Sequence, residues 1–233
     1  MRTDRFKSML DFSATALVAV AAGLFIWAQV EARWIRKPQP PQVQDVKGVV
    51  LQASTLRNVK GSGLVALVEF TDYECPFCGA YARETAPAVD KMVDSGTLRH
   101  VVFNFPLEKI HPNARRAAEA AECSARQGRY WEMHWRLFRD RNRLDEESIG
   151  EAVEALGLDK GKFKQCASGE SSEQITKDIA EGFRLGVKGT PTFFVGTVQA
   201  DGSIKLIKRF SGAAPLDYIK RVVDDVRRMA KPS

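Results

Sequence analysis

The sequence predicts a small α/β sheet domain, interrupted by an all-helical block and preceded by a single apolar N-terminal helix. Three observations predict it. A short apolar run, "LVALVEF" (Leu64–Phe70), precedes a helical segment and a second apolar run, "LRHVVFNFPL", which is the order of a βαβ unit with parallel strands. From about residue 110 to 187 the pattern is helical throughout. Beyond it, "TPTFFVG" and "SIKLIKRF" resume strand character around an Asp201–Gly202 turn.

The elements follow in chain order. Residues 1–11 are a short flank. From Phe12 to Val30, "FSATALVAVAAGLFIWAQV" carries no charge. As a helix it would rise about 28 Å, close to the thickness of a bilayer's hydrocarbon. This segment, 12–30, reads either as a retained membrane anchor or as a signal cleaved after Ala32, with Val30 and Ala32 as the small residues of the site. Basic residues flank it equally, with Arg2, Arg5 and Lys7 before and Arg33, Arg36 and Lys37 after, so charge alone sets no orientation. The very short N-terminal flank favours export of the rest. Either form puts the remainder outside the cytoplasm, on the periplasmic face of the inner membrane or free in the periplasm, where disulfides persist. Residues 31–48, with Pro38, Pro40 and Pro41, read as an extended spacer, which leaves 49–233 for the folded domain.

Within that domain the strand at Leu64–Phe70 is bounded by Gly61, Gly63 and the polar "TDYE". Pro76 suits a first helical turn, where its missing N–H costs nothing, and the helix runs to Gly96 with a kink at Pro87. In the helical block, Pro112 opens a helix that Gly128 stops, and "RYWEMHWRLFRD" is a second. Asp145 caps a third that ends at Gly157, and "DKGKFKQCAS" is a fourth. Ser171 and Gln174 form a capping box for a fifth that ends at Gly186. "PLDYIKRVVDDVRRM" closes the chain as an amphipathic helix.

Composition narrows the function classes. The chain is 44% hydrophobic and 27% charged, an ordinary globular balance. Its net charge of +6 comes from 35 basic and 29 acidic residues in mixed-sign stretches. No basic run is interleaved with aromatics, so no nucleic-acid partner is expected.

The four cysteines carry the chemistry. Cys75 and Cys78 sit three apart in "TDYECPFCGAY", after a strand and at a helix start. A zinc site would need a second such pair or a spaced histidine pair, and neither exists, so no metal and no other cofactor is expected. As a purely structural bridge so short a loop would restrain the unfolded chain little. A helix N-terminus instead offers free N–H groups and a positive dipole end, which stabilise a thiolate on Cys75. Cys78, one turn on, would point inward and attack a mixed disulfide formed at Cys75. That reads as a redox pair. Cys123 and Cys166 remain, both in the helical block. They are expected as a structural disulfide, with two buried free thiols as the alternative.

Three stretches, "VEFTDYECPFC", "HPNARRAAEAAECSARQGRYWEMH" and "GTPTFF", in this order and spacing, resemble the DsbA-like thiol-disulfide oxidoreductases of the thioredoxin superfamily, from about Leu64 to Met229. The resemblance implies a thioredoxin fold with an inserted all-helical domain, and Cys75 and Cys78 as the catalytic, redox-active cysteines. It implies that Pro191 is cis and that Thr190 and Pro191 bind substrate beside the pair. It also gives Glu69 a catalytic role beneath the site, moving the proton of the inner cysteine. Without the resemblance, Glu69 would read as a strand-edge carboxylate facing water, and Asp72 and Glu74 are expected to face solvent. His111 and His134 are expected to cap or pack helices. Pro76–Phe77 lacks the histidine of the strongly oxidising dipeptide, which implies a milder oxidant. The function implied is an exported oxidase that donates the Cys75–Cys78 disulfide to folding proteins with cysteines. A membrane quinone-linked reoxidase of the DsbB or VKOR type would then restore it. The alternatives are an isomerase or reductase kept reduced, and a membrane-tethered chaperone or binding module.

Overall fold

The computed structural model describes residues 20–27 and 41–230. Residues 20–27 form a helix, exposed throughout, that belongs to a unit separate from the one beginning at Pro41. The rest of the segment read as an anchor or signal lies outside the described residues. Among the described residues no helix is long and apolar enough to cross a membrane.

From Pro41 onward the chain builds one mixed sheet. Its strands are β1 (Gln44–Asp45), β2 (Val50–Leu51), β3 (Asn58–Lys60), β4 (Val65–Thr71), β5 (Arg99–Asn104), β6 (Thr192–Val198) and β7 (Ile204–Ser211). The spatial order is β1-β7-β6-β4-β5-β3, and β2 pairs with the other end of β7. Only β4 and β5 run parallel, joined by the crossover expected of a βαβ unit. The other pairs are antiparallel.

β4 is central and buried at all its residues, because it is covered on both faces. On one face Val65, Leu67, Phe193, Val195 and Phe210 pack under the terminal helix α8 (Leu216–Ala230), through its Ile219, Val222, Val223 and Val226. On the other, Ala66, Val68 and Phe70 join Val101, Phe103, Phe105, Phe194 and Leu206. At the β6–β7 register shift beside Gly196, a side chain would meet the Lys205 carbonyl oxygen at 2.3 Å, so only glycine lets the strands close there.

The crossover is two helices rather than one kinked helix. α1 (Pro76–Glu84) stops at Thr85, and α2 (Ala86–Asp94) restarts from it with Pro87 in its first turn. Proline cannot donate to the preceding turn, which explains a break there. The insertion contains α3 (Ala114–Ala125), α4 (Tyr130–Arg139), α5 (Glu146–Ala155), α6 (Lys160–Ala167) and α7 (Glu170–Arg184). Asp145 and Asp159 cap α5 and α6 by accepting from the Ser148 and Lys162 N–H groups. The Ser171–Gln174 capping box does not form. α7 starts two residues earlier, with Gly169 in the N-cap place, the Ser171 hydroxyl donates to the Cys166 carbonyl, and Gln174 donates to Asp178. The end of the stretch read as a spacer also differs: Gln44 and Asp45 pair with Arg209 and Lys208, so the sheet begins inside it.

Candidate active site

The site lies where the sheet meets the insertion. β4 ends at Thr71, the turn Asp72–Glu74 reverses the chain, and Cys75 sits at the N-cap of α1 with Pro76 behind it. The Gly79 N–H donates to the Cys75 carbonyl, closing the first helical turn. Cys75 and Cys78 are both buried thiols and are not bonded to each other. They belong to the apolar cluster of the insertion, with Tyr73, Tyr130, Met133 and Phe138. Phe77, between them, is 63% exposed and marks the open side.

The two sulfurs are driven in opposite directions. A hydrogen bond from Cys78 does most to lower the Cys75 thiol, to about 5. Burial opposes it, while Thr190 and the backbone N–H groups of Cys78 and Phe77 add to the lowering. In its protonated form Cys75 Sγ donates to the Thr190 carbonyl at 3.3 Å. Burial pushes the Cys78 thiol well above the ordinary range, and the neighbouring Cys75 reinforces that. Cys75 is therefore the sulfur that ionises at neutral pH, and Cys78 holds a proton. The Thr190–Pro191 peptide is cis, and the Pro191 carbonyl is occupied by the Gly212 N–H.

Glu69 is fully buried on β4, between Phe193 of β6 and Val102 of β5. Its Oε2 pairs with His100 Nε2 at 3.0 Å, and His100, also fully buried, lies against Trp131. It does not face water. His100 had no assigned role in the sequence, and nothing local marks it, because the pairing bridges two parallel strands.

Asp72 and Glu74 correct the expectation that they face solvent. Asp72 is 1% exposed. Its Oδ1 accepts from the Glu74 and Cys75 N–H groups at 2.8 and 3.2 Å. Its Oδ2 accepts from the Leu107 N–H and from His111 Nδ1, both at 2.8 Å. One carboxylate thus ties the cysteine turn to the loop after β5. Glu74 is half-buried and accepts from the Asn113 N–H at 2.7 Å, and its carbonyl accepts from Arg141. The available signal was an aspartate two residues before a polar position, which favours an Asx turn. His134 Nδ1 and the Tyr73 hydroxyl share a hydrogen bond at 2.9 Å, and burial holds the His134 pKa well below the usual histidine range, so it stays neutral.

Away from the pair, α3 and α6 are joined through Cys123 and Cys166, 5.6 Å apart at Cα. Among the described residues no group of three or more His, Cys, Asp or Glu side chains is arranged to hold a metal ion.

Residues 61–211 match the family model described as Thioredoxin. The chain is similar in structure to alpha-DsbA1 of Wolbachia pipientis, with a TM-score of 0.64, 20% identity and coverage of 72% of this chain and 89% of that one. It is also similar to a thioredoxin-like oxidoreductase from Silicibacter pomeroyi, with a TM-score of 0.61, 27% identity and coverage of 75% and 97%. In sequence it is similar to the Na(+)/H(+) antiporter NhaA 3 of Salinispora tropica, 39% identical over 133 residues. That match covers 56% of this chain but spans only 20% of the antiporter's length.

Proposed function

This chain belongs to the thioredoxin family and has the DsbA-like form of its fold, and from that premise we propose that it is a protein thiol-disulfide oxidoreductase that works as an exported oxidase. The observation that carries the reading is the opposed pair of sulfurs, an ionised Cys75 at a helix start and a buried, protonated Cys78. Such an arrangement exchanges one disulfide. A thiolate of a folding protein attacks Cys75 of the Cys75–Cys78 bond, and Cys78 leaves with the electron pair. A second substrate thiolate then attacks the substrate sulfur of the mixed disulfide and releases Cys75 as a thiolate. The substrate has lost two electrons and the enzyme has gained them.

The same feature supports the oxidising direction. A thiolate held at about 5 stabilises the reduced enzyme, and that makes the disulfide an oxidant. A quinone-linked membrane reoxidase of the DsbB or VKOR type would take the electrons onward. Thr190 and Pro191 present backbone to the substrate chain beside Cys75, and Glu69 serves the proton of Cys78. The Cys123–Cys166 bond fits an oxidising compartment. Cell fractionation separates the two exported forms, one anchored through 12–30 and one cleaved after Ala32.

Single serine variants test the roles. Cys75→Ser abolishes exchange, whereas Cys78→Ser accumulates mixed disulfides with substrate that cannot resolve. Equal trapping by both variants would overturn the assignment.

A further inference from the structure

Two arginines converge beside the redox pair with no carboxylate to meet them. Gly79 is buried in α1, and its N–H donates to the Cys75 carbonyl at 3.0 Å. A side chain at Gly79 would begin 2.9 Å from Arg141 Cδ, 3.0 Å from Arg141 Nε and 3.3 Å from Arg83 Nη1. Both guanidinium groups thus stand within 3.3 Å of one point, over a residue with no side chain to fill it. Arg141 reaches α1 from the loop after α4, where its Nη1 also donates to the Glu74 carbonyl at 3.1 Å. Arg83 is exposed, one turn after Gly79. Among the described residues neither forms an ion pair, because the acids around them are engaged elsewhere. Asp140, next to Arg141 in sequence, is shared by Arg136 and Arg139 at 2.6 and 3.5 Å. The Glu74 carboxylate is taken by the Asn113 N–H. Arg83 also lines an apolar groove of about 390 Å³ with Pro87, Trp135, Phe138 and Arg139. Asp90 borders the same groove but pairs with Lys60 at 3.2 Å. Like charges held this close repel, and an anion between them removes the repulsion.

The geometry points to the gap over Gly79 as a carboxylate-binding bay for the substrate of the exchange proposed above, on whose redox role it rests. Arg83 and Arg141 grip an aspartate or glutamate of the polypeptide whose cysteine meets Cys75, and a neighbouring apolar side chain of that polypeptide enters the groove. The groove's own arginines, Arg83 and Arg139, suit it to an acidic segment. One helical turn, about 5.4 Å, separates Cys75 from Gly79, and an extended chain rises about 3.3 Å per residue, which puts the acid about two residues from the reacting cysteine. A guanidinium matches a carboxylate with parallel N–H groups, so the bay selects Asp and Glu over their amides.

The test uses the full chain, oxidised at Cys75–Cys78 and in excess over reduced dithiol peptides. The peptides differ only in carrying glutamate, glutamine or lysine two residues to either side of each cysteine. Acid quench, alkylation and mass spectrometry read the rate at which each peptide is oxidised. The glutamate peptide should react about tenfold faster than the glutamine peptide, and the lysine peptide should be the slowest. That ratio should fall toward one between about 50 mM and about 500 mM salt. Arg83→Gln, Arg141→Gln and Gly79→Ala, whose new methyl group displaces Arg141, should each bring the ratio down to about two. A merely structural role would slow all peptides alike and leave the ratio where it was. Arg228→Gln, which removes the same charge outside the bay, should leave the ratio unchanged. Free glutamate at the peptide's concentration should not compete, because only a tethered carboxylate gains from the cysteine's attachment. A wild-type ratio near one would overturn the proposal and leave the redox reading standing. A ratio that survives in Arg83→Gln and Arg141→Gln, or falls equally in Arg228→Gln, would assign the preference to net charge and overturn it too. Competition by free glutamate would make a small acid the ligand, and sedimentation as a dimer that Arg83→Gln dissolves would make a second copy the occupant; either overturns the assignment. Failure to oxidise any of the peptides would remove the redox reading itself, and the bay's role with it.

Discussion

Replacing Cys123 and Cys166 together by alanine removes the bond between α3 and α6 and leaves Cys75 and Cys78 untouched. The bond closes a loop with a sequence separation of 43. Chain entropy for a loop of that length gives about 4 kcal/mol of stabilisation. For a folded unit of this size each kcal/mol moves the melting temperature by about 2–4 °C, so the variant should melt about 10 °C lower. Both sulfurs are buried, and their lost packing acts in the same direction. Circular dichroism melts of the oxidised proteins give the shift, and oxidation of a reduced dithiol peptide gives the exchange rate at a temperature where both stay folded. The bond lies outside the redox pair, so the rate should not change. A melting shift below about 3 °C would refute the chain-entropy reasoning. A rate that fell with the melting temperature would refute the separation of staple and site.

Asp72→Asn keeps the shape but turns an amide nitrogen toward donors that now meet a carboxylate oxygen. With Asp72 serving the Glu74, Cys75 and Leu107 N–H groups and His111, the loss of two such bonds costs about 3 kcal/mol, read as a melting temperature lower by roughly 6–12 °C; an unchanged melt would show that the carboxylate is not what ties the turn. The pH dependence has a definite sign. Cys75 is lowered from 9.0 to about 5, so its thiolate stabilises the reduced protein fully above pH 9 and the gain is lost as pH falls through 5. Cys78 is raised, so it opposes this only above its ordinary range. The melting temperature of the reduced form relative to the oxidised form should therefore climb between pH 5 and 9, and a flat difference would contradict the ionised Cys75. Alkylation of the reduced protein by iodoacetamide should likewise label Cys75 with a midpoint near pH 5, and a midpoint near 9 would deny the stabilisation by Cys78.

The central features were legible because each had a local signature. "LVALVEF" is apolar enough to be buried on both faces, Pro76 announces a helix start, and the long Ala-rich and amphipathic runs carry a helical period. What escaped was either too short or too distant. β1, β2 and β3 have two or three residues each, too few for alternation to repeat, and are held by the edges that β7 and β5 offer. The Ser171–Gln174 box looked like a cap, but Ser171 and Gln174 found better partners in Cys166 and Asp178. Asp72 and Glu74 were set toward water by their charge, although the loop after β5 and the start of α3 bring N–H groups to them from far along the chain. His100 meets Glu69 only across the β4–β5 pairing.

The in-cell redox state of Cys75 and Cys78 tests the account most directly. Cells are quenched in acid, free thiols are alkylated with a mass-adding reagent, and the fraction of bonded pair is read from the mobility of the full chain. An oxidase reoxidised after each turnover keeps the pair mostly as the Cys75–Cys78 disulfide, and that is the predicted result. A pair found mostly as dithiol would contradict it and make the protein a reductase or isomerase.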